Sequence, residues 1–188
     1  MFRNLSAAAL GLVLAAGPAV AQPERKDLQV ANDVARQVTR YTQFSVFDDV
    51  NVEVDRGHVT LTGKVTMPHK RTELERRVSN VRGVTEVRNK LEVLPASSAD
   101  DDLRYRIARK LYGNPTFWKY AAMANPPIHV VVDRGRVTLT GVVLDEGERM
   151  LARSITSTVV GSLSTENRLK TDAEVRAALE RPAVARND

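Results

Sequence analysis

Apolar and polar side chains alternate through residues 50–65: Val50, Val52 and Val54 form one run, and Val59, Leu61 and, past Gly63, Val65 form the next. A period of two sets one face of an extended strand against a core and leaves the other in water. Arg56-Gly57 separates the runs, and glycine there supplies the positive backbone angle of a tight antiparallel turn without steric penalty. The stretch is therefore predicted to be a β-hairpin. It returns 78 residues later, residues 54–65 reappearing as 132–143 with ten of twelve positions identical and only His58/Arg136 and Lys64/Val142 differing. Repetition of this kind marks a duplicated structural unit. Gly57, Gly63, Gly135 and Gly141 are read as structural, the first of each pair serving the turn and the second a bulge or close backbone approach inside a strand.

Helical periodicity flanks the hairpin. Val30, Val34, Val38 and Tyr41, with Ala31 and Ala35 beside them, make one stripe of an amphipathic helix over residues 28–41. Pro68 opens a second helix whose stripe is Leu74, Val78 and Val81 among charged neighbours, and Gly83 is read as its end. Residues 84–93 alternate again, with Val87, Leu91 and Val93 assigned inward as a third strand. The order is α-β-β-α-β, an α+β fold: a three-stranded mixed sheet with two helices on one face. The right-handed crossover preference predicts a third strand parallel to the second, with the first expected between them.

After a short linker at residues 95–100 the pattern restarts, with Asp101 or Asp102 expected to cap a helix bearing Leu103, Ile107 and Leu111. The 78-residue register holds through Gly83/Gly161, Asn89/Asn167 and Leu91/Leu169, but the first helices align only at an offset of 73. About five extra residues therefore fall within residues 114–127, which hold the only tryptophan. The organisation expected is unit 1 over residues 28–94, the linker, unit 2 over 101–171 and a C-terminal tail over 172–188 that begins with a short helix.

Composition changes this picture in few places. Of 188 residues, 43% are hydrophobic and 27% charged, which suits folded units. Lysine and arginine (28) exceed aspartate and glutamate (23) without any basic run, a mild bias toward anionic surfaces. Residues 1–21 read as a secretory signal: Arg3, an apolar stretch, then Ala19-Val20-Ala21 as a cleavage site. Cleavage after Ala21 before a polar lead-in at residues 22–27 places the mature chain in the periplasm. The apolar stretch is short and interrupted for a spanning helix, which needs ~20 continuous apolar residues. With no cysteine, disulfides and cysteine-linked lipid are both excluded.

Two α-β-β-α-β units behind a signal peptide, each with a Val-x-Val-x-x-Gly-x-Val-x-Leu-x-Gly-x-Val core at residues 52–65 and 130–143, resemble tandem BON domains (bacterial osmotically induced periplasmic protein and nodulation family). The resemblance covers roughly residues 28–171. It implies a non-enzymatic periplasmic or envelope module that associates with phospholipid membranes, with relatives tied to osmotic stress and envelope integrity. The family motif names no catalytic residue, so none carries over. The chain departs from some double-domain relatives in lacking a lipobox cysteine, and its second unit has Ser162-Leu163-Ser164 where the first has Val84-Thr85-Glu86.

The residues themselves offer little chemistry. His58, His69 and His129 lack metal-type spacing, and neither Asp48-Asp49 nor the run 100–102 has the pattern of a calcium loop. No phosphate loop or nucleophile elbow is present. No catalytic residue, metal or cofactor is expected. The sharper candidate is Phe117-Trp118-Lys119-Tyr120 together with Arg106, Arg109 and Lys110 of the preceding helix, on which Arg104 is also expected to be displayed. Aromatic rings favour the water–lipid interface and basic side chains are drawn to anionic headgroups, so these seven residues form a candidate lipid contact. Alternatively, Phe117 and Trp118 fill the end of the sheet as core. Tyr41, Phe44 and Phe47 occupy the related segment of the first unit and are assigned to core or inter-unit contacts. The partner expected is an anionic phospholipid surface or an envelope protein. The alternative is a periplasmic chaperone-like module that binds polypeptides at its sheet edges. Nucleic acid is not expected. Units of about 65 to 75 residues have marginal cores, so the two are expected to pack on one another or to form a homo-oligomer.

Overall fold

The computed structural model describes residues 27–180. The signal-peptide reading, its cleavage site and the end of the tail fall outside those residues. The first unit comprises α1 (Asp27–Thr39), β1 (Asp49–Asp55), β2 (His58–Val65), α2 (Pro68–Ser79) and β3 (Glu86–Val93). The second comprises α3 (Ser98–Tyr112), a 3-10 turn (Pro115–Phe117), α4 (Trp118–Ala121), β4 (Ile128–Asp133), β5 (Arg136–Val143), α5 (Glu146–Ser157), β6 (Ser164–Asn167) and β7 (Lys170–Thr171), and α6 (Asp172–Glu180) follows. The tail therefore begins as a helix, and Thr171 and Glu174 exchange bonds across its first turn as a capping box.

The α+β architecture is as expected, but the strand order is corrected. β2, not β1, lies in the middle, antiparallel to β1 and parallel to β3. Val59, Leu61 and Val65 on β2 are fully buried, whereas Val50, Val52 and Val54 on β1 are half-buried. The most buried strand is the one that most needs hydrogen-bond partners along both edges. The second unit repeats the hairpin and parallel registers, although its third strand is split into β6 and β7 around Arg168-Leu169.

Both hairpin turns put two residues at positive φ, Arg56 (48°) with Gly57 (80°) and Arg134 (52°) with Gly135 (73°). These left-handed conformations are held from outside the turn. The Asp27 carboxylate accepts the backbone N–H groups of Arg56 and Gly57 at 2.9 and 3.1 Å, and Asp100 accepts those of Arg134 and Gly135 at 2.8 Å each. The expected cap of α3 moves accordingly: Ser97 is its N-cap, accepting from the Asp100 N–H. Gly63 and Gly141 mark close approach rather than a bulge, since neither inserts an extra residue into the antiparallel register: Val50 pairs with Gly63 and Asp49 with Lys64, and Ile128 pairs with Gly141 in step with the residues before it. A Cβ would stand 2.2 Å from the Asp49 carbonyl oxygen at Gly63 and 1.8 Å from that of Pro127 at Gly141. Helix α2 ends at Ser79, and Gly83 belongs to the turn after it. Val93, assigned inward, is 36% exposed, and Leu94 is buried just beyond it.

Each unit has its own core. Val30, Val34, Leu74 and Val78 from two helices cover Val59, Leu61 and Leu91, while Leu103, Ile107, Leu111 and Ala152 cover Val137 and Leu139. Asn89 and Asn167, retained in both copies, tie the third strand to the second helix by donating to the carbonyls of Arg71 and Arg149 at 3.0 and 2.8 Å. The units pack on one another, as their size predicts. Lys64 pairs with Asp133 at 2.7 Å, Thr140 donates to Asp49 at 2.9 Å, and the Val130 N–H donates to the Val46 carbonyl at 2.7 Å. Phe44 stacks obliquely on His129, and Phe47 meets Tyr105 edge-on while packing against the second core. Val131, on the outer face of β4, is only 5% exposed.

Candidate functional site

The outer face of α3 carries the basic candidates. Leu103, Ile107 and Leu111 turn inward at helical spacing, which leaves Arg106, Arg109 and Lys110 toward solvent. Arg106 is held at 2.9 Å by Asp102 and donates to the Val160 carbonyl at 2.7 Å, and Lys110 donates to the Thr158 hydroxyl at 2.8 Å. One further turn along, the Gly113 carbonyl accepts the indole N–H of Trp118 at 3.1 Å, which fixes a ring that is 61% exposed. Arg106, Arg109, Lys110 and Trp118 therefore share one strip, spanning ~10 Å of helix between Arg106 and Gly113.

The aromatic motif is divided by its local geometry. The 3-10 turn leads into a single turn of helix, so Phe117 and Tyr120, three apart, face the same way. That way is inward: Phe117 is 0% exposed and Tyr120 is 7% exposed. The lipid-contact assignment is corrected for both rings, which serve the core. Tyr120 donates its hydroxyl to Glu148 at 2.6 Å, and Lys119 pairs with the same carboxylate. Burial pushes the Glu148 carboxyl upward, but the bonds from Lys119, Tyr120 and the Leu144 N–H outweigh it and hold the group below the ordinary carboxylate range. Burial, then Glu148, raises the Tyr120 phenol, while the hydrogen bond to Glu148 raises Lys119. Lys119 is thus committed to a clamp between α4 and the start of α5.

Two residues outside the sequence-based candidate set join the strip. Val160 and Leu163, on the loop between α5 and β6, are 83% and 78% exposed. The signal that finds them is the repeat, because Arg82 and Thr85 hold the same positions in unit 1. Between the sheets lies an open polar cleft of about 440 Å³, lined in part by Asn51, Thr62, Lys64 and Thr140. Lys64 and Thr140 are already engaged there with Asp133 and Asp49.

Among the described residues no group of three or more His, Cys, Asp or Glu could hold a metal ion, and no helix is long and apolar enough to cross a membrane. The fold and surface define a duplicated α+β module in which two copies of a clamped hairpin share one seam. The chain belongs to the BON domain family, whose profile matches residues 26–95 and again residues 99–173. That family is generally non-enzymatic and envelope-associated, and its members are typically periplasmic. No curated protein matches the chain. Solved structures of CdsD, a structural protein of the Type III secretion system of Chlamydia trachomatis, are similar in part. Its C-terminal domain is 16% identical, with 82% of this chain and 70% of that chain covered and a TM-score of 0.32. A second CdsD structure is 14% identical, with 82% and 100% covered and a TM-score of 0.28. Values this low carry no functional argument.

Proposed function

We propose that this is a non-enzymatic, exported envelope protein that attaches peripherally to anionic phospholipid and supports envelope integrity under osmotic stress. The observation that carries the reading is the strip on α3, where Arg106, Arg109 and Lys110 lead to an exposed indole bonded to Gly113. Each basic side chain near an anionic surface contributes ~1 kcal/mol, and an indole suits the headgroup boundary. Lys119 and Arg106 contribute less than Arg109 and Lys110 because Glu148 and Asp102 already pair with them. The chaperone-like alternative is supported more weakly. Strand addition needs free sheet edges; β1 and β4 meet at the seam, which leaves β3 and the short, split β6–β7 edge for it.

Flotation of the purified protein with phosphatidylglycerol vesicles tests the reading. Binding is expected to exceed that to phosphatidylcholine, to weaken with salt, and to fall when Trp118→Ala is combined with Arg109→Ala and Lys110→Ala. Binding indifferent to headgroup charge, or unchanged in that variant, would remove this surface.

A further inference from the structure

We infer that the loop between α5 and β6 is a membrane wedge, with Val160 and Leu163 inserting below the headgroups of an anionic leaflet, and that unit 2 alone faces the bilayer. The inference rests on the lipid reading above and deepens it by naming the inserting side chains and the orientation. These two are the most exposed large apolar side chains among the described residues. The fold does not require them, because unit 1 builds the same loop with Arg82 and Thr85 in their places. The two backbones correspond closely. The Val84 N–H donates to Val81 and that of Thr85 to Gly57, at 3.1 and 2.9 Å, while the Ser162 N–H donates to Val159 and that of Leu163 to Gly135, at 3.2 and 2.8 Å. Gly83 and Gly161 sit at φ +92° and +95°. Unit 1 is thus an internal control in which one backbone presents polar side chains to water.

The wedge is preorganised and ringed by cations. Arg106 bonds the Val160 carbonyl at 2.7 Å, and Leu163 is anchored by its N–H to the hairpin turn, its side chain lying over Gly135 with most of its surface still exposed. Arg134 and Arg136 lie exposed on that turn, and Lys110 reaches Thr158 at the base of the loop. The neighbouring carboxylates Asp101 and Asp102 are paired with Arg104 and Arg106. A fixed loop presenting two aliphatic side chains inside a basic rim matches an anionic bilayer surface: the rim meets headgroups and the tips meet acyl chains. Burying tips that are already ordered also avoids part of the entropy cost of binding.

The test uses the whole protein with phosphatidylglycerol vesicles and compares wild type with Val160→Ser/Leu163→Thr. The pair is conservative for folding because unit 1 tolerates polar residues there, and circular dichroism checks it. The variant is expected to bind about tenfold more weakly. Because the chain has no cysteine and one tryptophan, two site reporters are available. An environment-sensitive fluorophore at Leu163→Cys should shift to the blue on binding and be quenched by lipids labelled in the acyl chain, while the same label at Thr85→Cys should do neither. Wild-type affinity in the double variant, with Trp118 emission still shifting, would overturn the wedge and leave the lipid reading standing. Equal insertion at residues 85 and 163 would overturn the orientation. If wild type neither floats nor shifts its Trp118 emission, both fail, and a protein partner at the membrane surface becomes the occupant to seek.

Discussion

Gly63 shows how much one missing methyl group decides. Its φ of +118° and the Asp49 carbonyl 2.2 Å from where a Cβ would stand leave room for hydrogen alone. Gly63→Ala is expected to destabilise unit 1 by about 2–4 kcal/mol through strain and forced separation of the strands. Urea unfolding would read this as a lower midpoint at similar slope, and an unchanged midpoint would refute the close-approach role. That this glycine was special could be read from its recurrence as Gly141 within a strand pattern. Whether it made a bulge or admitted a carbonyl could not, since the carbonyl comes from a neighbouring strand. The hairpin turns divide in the same way. Arg56-Gly57 and Arg134-Gly135 announce positive φ, but the carboxylates holding them, Asp27 and Asp100, lie 29 to 35 positions away.

Between elements, the two units solve one problem with opposite charges. The first turn of the second helix must be tied to the segment before the first strand. In unit 1 Lys70 does this, reaching the fully buried Asp48 at 2.6 Å, and Asp48 also accepts from the backbone and hydroxyl groups of Ser45 and Thr66. In unit 2 the equivalent residue is Glu148, and its partners Lys119 and Tyr120 come from the segment that holds the extra residues. Lys70→Met strands a buried carboxylate and is expected to cost about 3 kcal/mol. A melting temperature within a degree of wild type would show that the hydroxyls and amides suffice without the cation. The aromatic motif was legible as an amphipathic cluster, but its partition was not. Only the 3-10 entry into α4 decides that Phe117 and Tyr120 turn inward while Trp118 turns out.

At the scale of the whole molecule, the seam makes stability depend on pH. His129 lies against Phe44 with Asp48 and Asp49 nearby, and burial holds its imidazole below the ordinary value of 6.5. The unfolded chain therefore binds a proton there that the folded chain resists. The contribution is complete above about 6.5 and declines as pH falls below it. Asp133 acts lower on the scale. The hydrogen bond from Lys64 depresses its pKa, so its stabilisation is present above the ordinary carboxylate value, about 4, and is lost as pH falls through the lowered one. Melting temperatures are expected to drop between pH 7.5 and 5, and His129→Phe is expected to flatten that part of the curve. A slope identical to wild type in the variant would clear His129 of the effect.

The period of apolar positions and the 78-residue repeat were enough to determine the elements, the duplication and the family resemblance, because local periodicity and turn chemistry are properties of neighbours along the chain. Tertiary structure alone decided that β2 is central, that Phe44 and Phe47 reach across to His129 and Tyr105, and that Val160 and Leu163 stand in water. Those outcomes depend on which surfaces meet, and packing between distant segments leaves no period in the sequence to read.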